Sequence, residues 1–288
     1  MVLGTAQDAG LPQIGSRSAQ SERARRDPSA RRLVASLVIM DPRDGRRWLI
    51  DATPDIREQV DRIEGEPTTR DMTGARPPLF DGIFLTHAHM GHYSGLLHLG
   101  REAYGADAVP VHASSQMCAF LGSNGPWDLL VKAKHIALKP LRAGEPVELA
   151  PDLRVIPFEV PHRAEYTDTL GFIVQGPRRS LLYIPDIDKW ERWDRRIEDL
   201  IASVDFALLD GTFFADGEIP GRSMAEIPHP FIQESMARFA ALPASERAKI
   251  VFTHLNHTNP TADPTGEEAK AVRKAGMSIA TEGQRFSL

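Results

Sequence analysis

Three histidines fall within six residues at His87-Ala88-His89-Met90-Gly91-His92, in a chain of 288 residues that holds ten. Neutral imidazole is the commonest metal ligand near neutral pH, and several converging rings suit zinc or iron. The apolar run Ile83-Phe84-Leu85 ahead of them reads as a buried strand ending at Thr86. A strand alternates its side chains between two faces, so it cannot aim all three rings at one point, whereas the turn after it can. Groups of matching chemistry stand where other apolar runs stop. Asp51 follows Trp48-Leu49-Ile50, His162 follows residues 155–160, Asp186 follows residues 181–185, and His254 follows residues 250–253. His257 comes three residues after His254, and Asp188 two after Asp186. Asp186 reads as a metal ligand able to bridge two ions, and His254 as a stronger ligand candidate than His257. His98, His112 and His135 read as packed or exposed side chains, and His229, between two prolines, as a residue that lines a pocket.

These residues need a rigid frame that brings strand ends together. Strands are expected at residues 2–5, 33–40, 48–51, 84–86, 109–112, 155–160, 171–175, 181–185, 206–209 and 250–253. Helices are expected at 54–63, 95–104, 114–121, 190–201, 229–242 and 266–275. Pro54 sits in the first turn of the earliest of these, where its missing N–H costs nothing. Strand-rich halves with helices between them imply sheets covered by helices. No 20–50-residue repeat and no dividing linker is evident, so one domain over residues 1–288 is expected. Residues 16–32, rich in Ser and Arg, read as a solvated, mobile surface loop, because Glu22 and Asp27 dilute the charge and no aromatic residue interleaves.

Composition narrows the classes. A net charge of −5 gives no general attraction to nucleic acid or acidic membranes, so a small-molecule substrate is the expected partner, with a homodimer left open. Cys118 is the sole cysteine, which excludes an intrachain disulfide and a thiolate metal cluster. No apolar stretch approaches the roughly 18 residues of a membrane span, and residues 1–5 look like a strand rather than a leader. A cytoplasmic protein is expected; a leader trimmed ahead of Met1 would change that to secretion.

The set His87, His89, His92, with Asp51, His162, Asp186 and His254 in order, resembles the His-x-His-x-Asp-His motif and accompanying positions of the metallo-β-lactamase superfamily. Within it, the chain is most similar to the pyrroloquinoline quinone biosynthesis protein B family and its relatives, through residues 3–13, 51–57, 208–213 and 254–260. The resemblance covers nearly the whole chain. It implies an α/β (α+β) fold, an αββα sandwich with a metal site at the edge between two β-sheets. It further implies that His87, His89 and His162 hold a first metal, that Asp186 is shared, and that His92 and His254 hold a second. Two departures stand out. Gly91 replaces the motif aspartate, so one ion should be held firmly and the second should be weak, absent or completed by His257 or Asp188. Ser16, Ser18 and Ser21 stand at the spacing of that family's cysteines, and hydroxyls do not replace thiolates in a structural zinc site. Zinc is the expected metal, with iron or manganese as alternatives.

The expected activity is hydrolysis of an ester, lactone or phosphodiester-type substrate by metal-activated water. Proton removal would fall to Asp186, Asp188 or solvent, with His257, Arg163 and Arg222 as candidates for binding a substrate anion under an overhanging loop at 217–222. Two other readings follow from the resemblance: an iron-dependent oxygenase, and a non-catalytic binding protein that lost turnover with the motif aspartate.

Overall fold

Alternation of apolar residues along the strands decides which side of each sheet they serve. In the computed structural model, which describes residues 1–69, 73, 77–219, 221 and 223–288, two sheets lie face to face. The first runs β1 (Val2–Gly4), β2 (Ser36–Met40), β3 (Arg47–Ile50), β4 (Gly82–Phe84), β5 (Val109–Ser114) and β6 (Ile136–Leu141) in spatial order. The second contains β7 (Val147–Ala150), β8 (Leu153–Val160), β9 (Thr169–Gln175), β10 (Ser180–Ile184), β11 (Phe206–Asp210), β12 (Ile250–Thr253) and β13 (Ser278–Ile279), with β7 at one edge and β13 at the other. Each sheet begins antiparallel and turns parallel: β3–β6 in the first, β10–β13 in the second.

Period-two side chains fill three apolar layers. Ile83 and Leu85 point outward to a layer under the helices, while Phe84 points between the sheets. In β10, Leu181 and Tyr183 face the first sheet, and Leu182 and Ile184 face the opposite helices. The first outer layer is covered by α2 (Ile56–Glu64), α4 (Ser115–Ser123) and α5 (Trp127–Lys132), which follow α1 (Ala19–Arg26) and the short α3 (Met90–Tyr93) in the chain. The second is covered by α6 (Ile197–Ala202), α7 (Ile232–Phe239) and α9 (Glu267–Lys274), with α8 (Ala244–Arg247) between the last two. The result is the expected αββα sandwich. Strand β4 spans only three residues, yet Ile83 and Phe84 are fully buried, each worth about 1.5–3 kcal/mol. Burial, rather than strand length, anchors the histidine turn.

Four expectations need correction. Residues 16–32 are not a loop: Ser18 caps α1 by accepting from the Ser21 N–H, and Ser21 and Ala24 are buried on its inner face beside Leu11 and Ala30. The serines that stand at the cysteine spacing therefore serve a helix start. The helical segment after the histidines begins earlier, at Met90, and its 3₁₀ continuation ends at Leu99, where Gly100 leaves the helical region. Residues 190–201 form a 3₁₀ turn and a separate helix, because Trp193 is extended. Strands β6, β7 and β13 and helices α5 and α8 were not foreseen; β6 carries Lys139 and Pro140 on an edge of the sheet, which masks its alternation. Part of the polar loop at 64–78, and Pro220 and Arg222 of the overhanging loop, lie outside the described residues. Among the described residues, no helix is long and apolar enough to cross a membrane.

Candidate metal centre

Strands β3 and β4 of one sheet and β8, β10, β11 and β12 of the other end at the same edge of the sandwich. Their last residues and the turns after them supply the site. Asp51 and His254 each leave a strand with φ near +60° (65° and 62°), a left-handed conformation that costs a non-glycine residue about 1–3 kcal/mol. The strain re-aims both side chains toward the edge. The turn carrying His92 is tied to the Asp51 turn by Ala52 N–H donating to His92 O at 2.9 Å and Gly95 N–H donating to Ala52 O at 2.9 Å. This approach requires glycine at 95, where a Cβ would lie 2.0 Å from Thr53 O.

His87, His89, His162 and Asp186 converge. His87 Nε2 lies 2.8 Å from His89 Nδ1 and 3.3 Å from Asp186 Oδ2. His162 Nε2 lies 3.3 Å from His89 Nδ1 and 3.2 Å from Asp186 Oδ1. Two nitrogens bound at zinc distances in a tetrahedral site would be about 3.3 Å apart, so this spacing is that of a shared ion. A second set faces the same carboxylate. His92 Nε2 is 3.8 Å from Asp186 Oδ2, and His254 Nε2 is 4.0 Å from it. Asp8, from the loop after β1, lies with His92 and His254 so that their ligand atoms are all within 4.8 Å of one another.

The opposite nitrogen of every ring is already engaged. Thr86 Oγ1 is 3.0 Å from His87 Nδ1, and Glu165 Oε2 is 3.0 Å from His89 Nε2. Asp51 Oδ2 is 2.8 Å from His92 Nδ1, and Asp188 Oδ1 is 3.2 Å from His162 Nδ1. Thr212 Oγ1 lies 2.9 Å from His254 Nδ1 and donates to Asp210 Oδ1 at 2.7 Å. Such partners fix ring orientation and tautomer, leaving one nitrogen per ring for a metal. His92 Nε2, His254 Nε2 and Asp8 Oδ1 are buried without any hydrogen-bond partner. Orphaned polar atoms of this kind are costly unless something binds them. The donor set fits a transition-metal ion.

Electrostatics agree. Burial pushes the His87 ring well below its ordinary range, and His92 adds to the depression, so His87 is a neutral donor. Burial would raise the Asp186 carboxyl, but His162, His229 and His254 around it hold it well below the usual carboxylate range. Burial also opposes charge on His92 and His162, yet the carboxylates facing them prevail and raise the rings to about 9 and about 10.

The structure thus brings together His87, His89, His92, His162, Asp186 and His254. Asp188 stands behind His162, its second oxygen taken by Arg192 at 2.9 Å. His257 joins neither set: its carbonyl accepts from Ser18, and its Nδ1 is buried without a partner. Arg163 pairs with Glu165 at 3.4 Å. His112 stacks on Phe84 at 4.6 Å, and His135 Nδ1 is 2.8 Å from Ala106 O, both away from the centre. Three contributors were not singled out from sequence. Asp8 is the one acidic residue in the stretch at 3–13; Asp210 ends an apolar strand; Glu165 follows the His162 turn. His229, read as a pocket residue, is buried with Nδ1 2.8 Å from Asp210 Oδ2 and 3.2 Å from Asp186 Oδ1.

Comparison with known proteins identifies a family and a fold. The family described as "Beta-lactamase superfamily domain" matches residues 46–255. Coenzyme PQQ synthesis protein B of Xanthomonas campestris pv. campestris (strain B100) is 29% identical over 313 residues, covering 100% of this chain and 99% of that protein. The same protein of Methylobacterium nodulans is 29% identical over 314 residues, with 100% and 99% covered. Among solved structures, Zn(2+)-bound PqqB from Methylobacterium extorquens superposes with a TM-score of 0.82 at 24% identity, covering 100% of this chain and 99% of that one. A diphosphatase from the PhnP family superposes at 0.66 and 24% identity, covering 99% and 94%.

Proposed function

The chain belongs to the beta-lactamase superfamily, and from that premise we propose that it is a metal-dependent hydrolase of a small ester, lactone or phosphodiester-type substrate. One observation carries the reading: five imidazoles, each oriented by a partner on one nitrogen, direct the other toward the two sides of Asp186. His87, His89, His162 and Asp186 would hold a first ion, and His92 and His254 would share Asp186 in holding a second. Zinc is the proposed metal. When bound, the metal lowers the pKa of water toward about 7 and polarises the oxygen under attack.

The chain's own groups supply the rest. Asp188 has both oxygens occupied by His162 and Arg192, so it orients a ligand rather than accepting the water proton. That leaves Asp186 and His229, whose Nδ1 is 3.2 Å from Asp186 Oδ1, as the candidates. Burial works against a charged His229, but Asp210 and Asp186 raise its pKa and let it hold a proton at Nδ1. Glu165, at the more exposed rim with Arg163, keeps His89 turned inward and leaves Arg163 able to meet an anionic group.

End-to-end similarity to coenzyme PQQ synthesis protein B supports a second reading, an iron-dependent oxygenase in that synthesis. A set of three histidines and one carboxylate with an open position also suits iron. Elemental analysis of protein purified without added metal, followed by hydrolysis and oxygen-uptake assays, separates the two. Zinc with cleavage of an ester or phosphodiester is expected; iron with oxygen uptake and no hydrolysis would overturn the hydrolase.

A further inference from the structure

The histidine motif lacks its acidic member because Gly91 stands there, yet the space beside Gly91 is filled. A Cβ built on Gly91 would lie 2.3 Å from Asp8 Oδ1 and 2.5 Å from Asp8 Cα. The loop after β1 therefore occupies the volume that a side chain at position 91 would take. Its carboxylate faces inward: Asp8 Oδ1 is 3.8 Å from His92 Nε2 and is buried with no hydrogen-bond partner. His92 Nε2 and His254 Nε2, on fully buried side chains, are orphaned beside it.

We propose that Asp8 is the carboxylate ligand of the second metal, supplied by the N-terminal loop in place of the residue lost at position 91. The inference rests on the metal-centre reading above and replaces His257 and Asp188 as the groups that complete this site. Backbone pairing explains how a remote loop holds a ligand in place. Leu255 N–H donates to Thr5 O at 2.8 Å and Gln7 N–H donates to Leu255 O at 2.9 Å, so residues 5–7 run alongside the residue after His254. Asn256 Nδ2 donates to Gln7 Oε1, which closes the loop against the same segment. Asp8 is thereby fixed next to His254 by hydrogen bonds that do not involve its own side chain. Gly91 and Asp8 form one device: the glycine admits the loop, and the loop returns the charge.

The test is zinc binding to the full chain, read as ions per chain after equilibrium dialysis, with cobalt(II) absorption as an independent reporter of each site. Wild type, Asp8→Asn, Asp8→Ala and His162→Ala are compared, with circular dichroism confirming that each is folded. Wild type should bind two ions. Both Asp8 variants should keep the first and lose affinity for the second by more than about a hundredfold, beyond the effect typical of an orienting partner. His162→Ala should show the opposite pattern. Two ions with undiminished affinity in both Asp8 variants would overturn the assignment and leave the hydrolase reading intact. A single ion in wild type, abolished by His162→Ala and untouched at position 8, would do the same. No bound metal in wild type would remove both.

Discussion

The two ligand sets on either side of Asp186 differ in how they are built. The first is compact: neighbouring ligand atoms approach to 2.8–3.3 Å, although His89 Nδ1 stands 3.9 Å from Asp186 Oδ2, and two of its histidines come from one short turn. The second is wider, with His92 and His254 3.8–4.0 Å from the shared carboxylate, and its parts come from α3, the end of β12 and the loop after β1. A set already at ion-sharing distance pays little to close on a metal, whereas a wider one must draw together first. The compact set should therefore bind more tightly, and the wider one should respond more to changes in the residues around it.

Replacing the shared group should erase the distinction. Asp186→Ala is expected to empty both sets and to lower hydrolysis by at least about a hundredfold, the scale seen when one preorganised charge-stabilising group is lost; metal per chain and kcat/KM measure it. His162→Ala should sharpen the contrast by removing the tightly held ion alone, while His98→Ala leaves the metal content unchanged. Equal loss in those two variants would mean that the rings do not share an ion. Asp51→Asn acts one bond further out. Asp51 accepts from the Thr86 N–H at 2.8 Å and faces His92 Nδ1, so the substitution should weaken the second ion about 10–100-fold and the first much less. Zinc titration against a competing chelator reads both affinities.

The smallest effect belongs to a histidine outside both sets. Burial, with Lys139 adding to it, lowers the His112 ring to about 4 from the ordinary 6.5 of an unburied ring. The fold thus favours its neutral form. That contribution is complete above pH 6.5 and is lost as the pH falls toward 4, where the unfolded chain takes up a proton that the folded chain does not. His112→Phe should flatten the decline in stability across that window while leaving metal content at the wild-type value. Thermal melts at stepped pH test this.

Much of this was legible in the sequence for a simple reason. Strands such as β8, β10 and β12 are apolar runs with a polar residue immediately after them, and strand ends at one edge are where ligands must converge. The αββα layers follow from the same alternation. Less legible were β6, where Lys139 and Pro140 interrupt the pattern, and α1, whose inner face is made of Ser21 and Ala24 rather than large apolar residues. Asp8 was hidden for a different cause. A missing ligand at Gly91 announces that something else must supply charge, but sequence spacing gives no sign of which distant loop enters the gap. His257 and Asp188 were suggested by their nearness along the chain to His254 and Asp186, yet neither joins His92 and His254.

The pairing of residues 5–7 with residue 255 also sets a timetable for the newborn polypeptide. Residues 5–7 must wait until residue 255 has left the ribosome before they meet it. Between release of Asp186 and release of His254, several seconds pass at roughly 5–20 residues per second. During that interval Asp8 and His92 are already made but the wider set still lacks His254, so the proposed first site would be complete before the second.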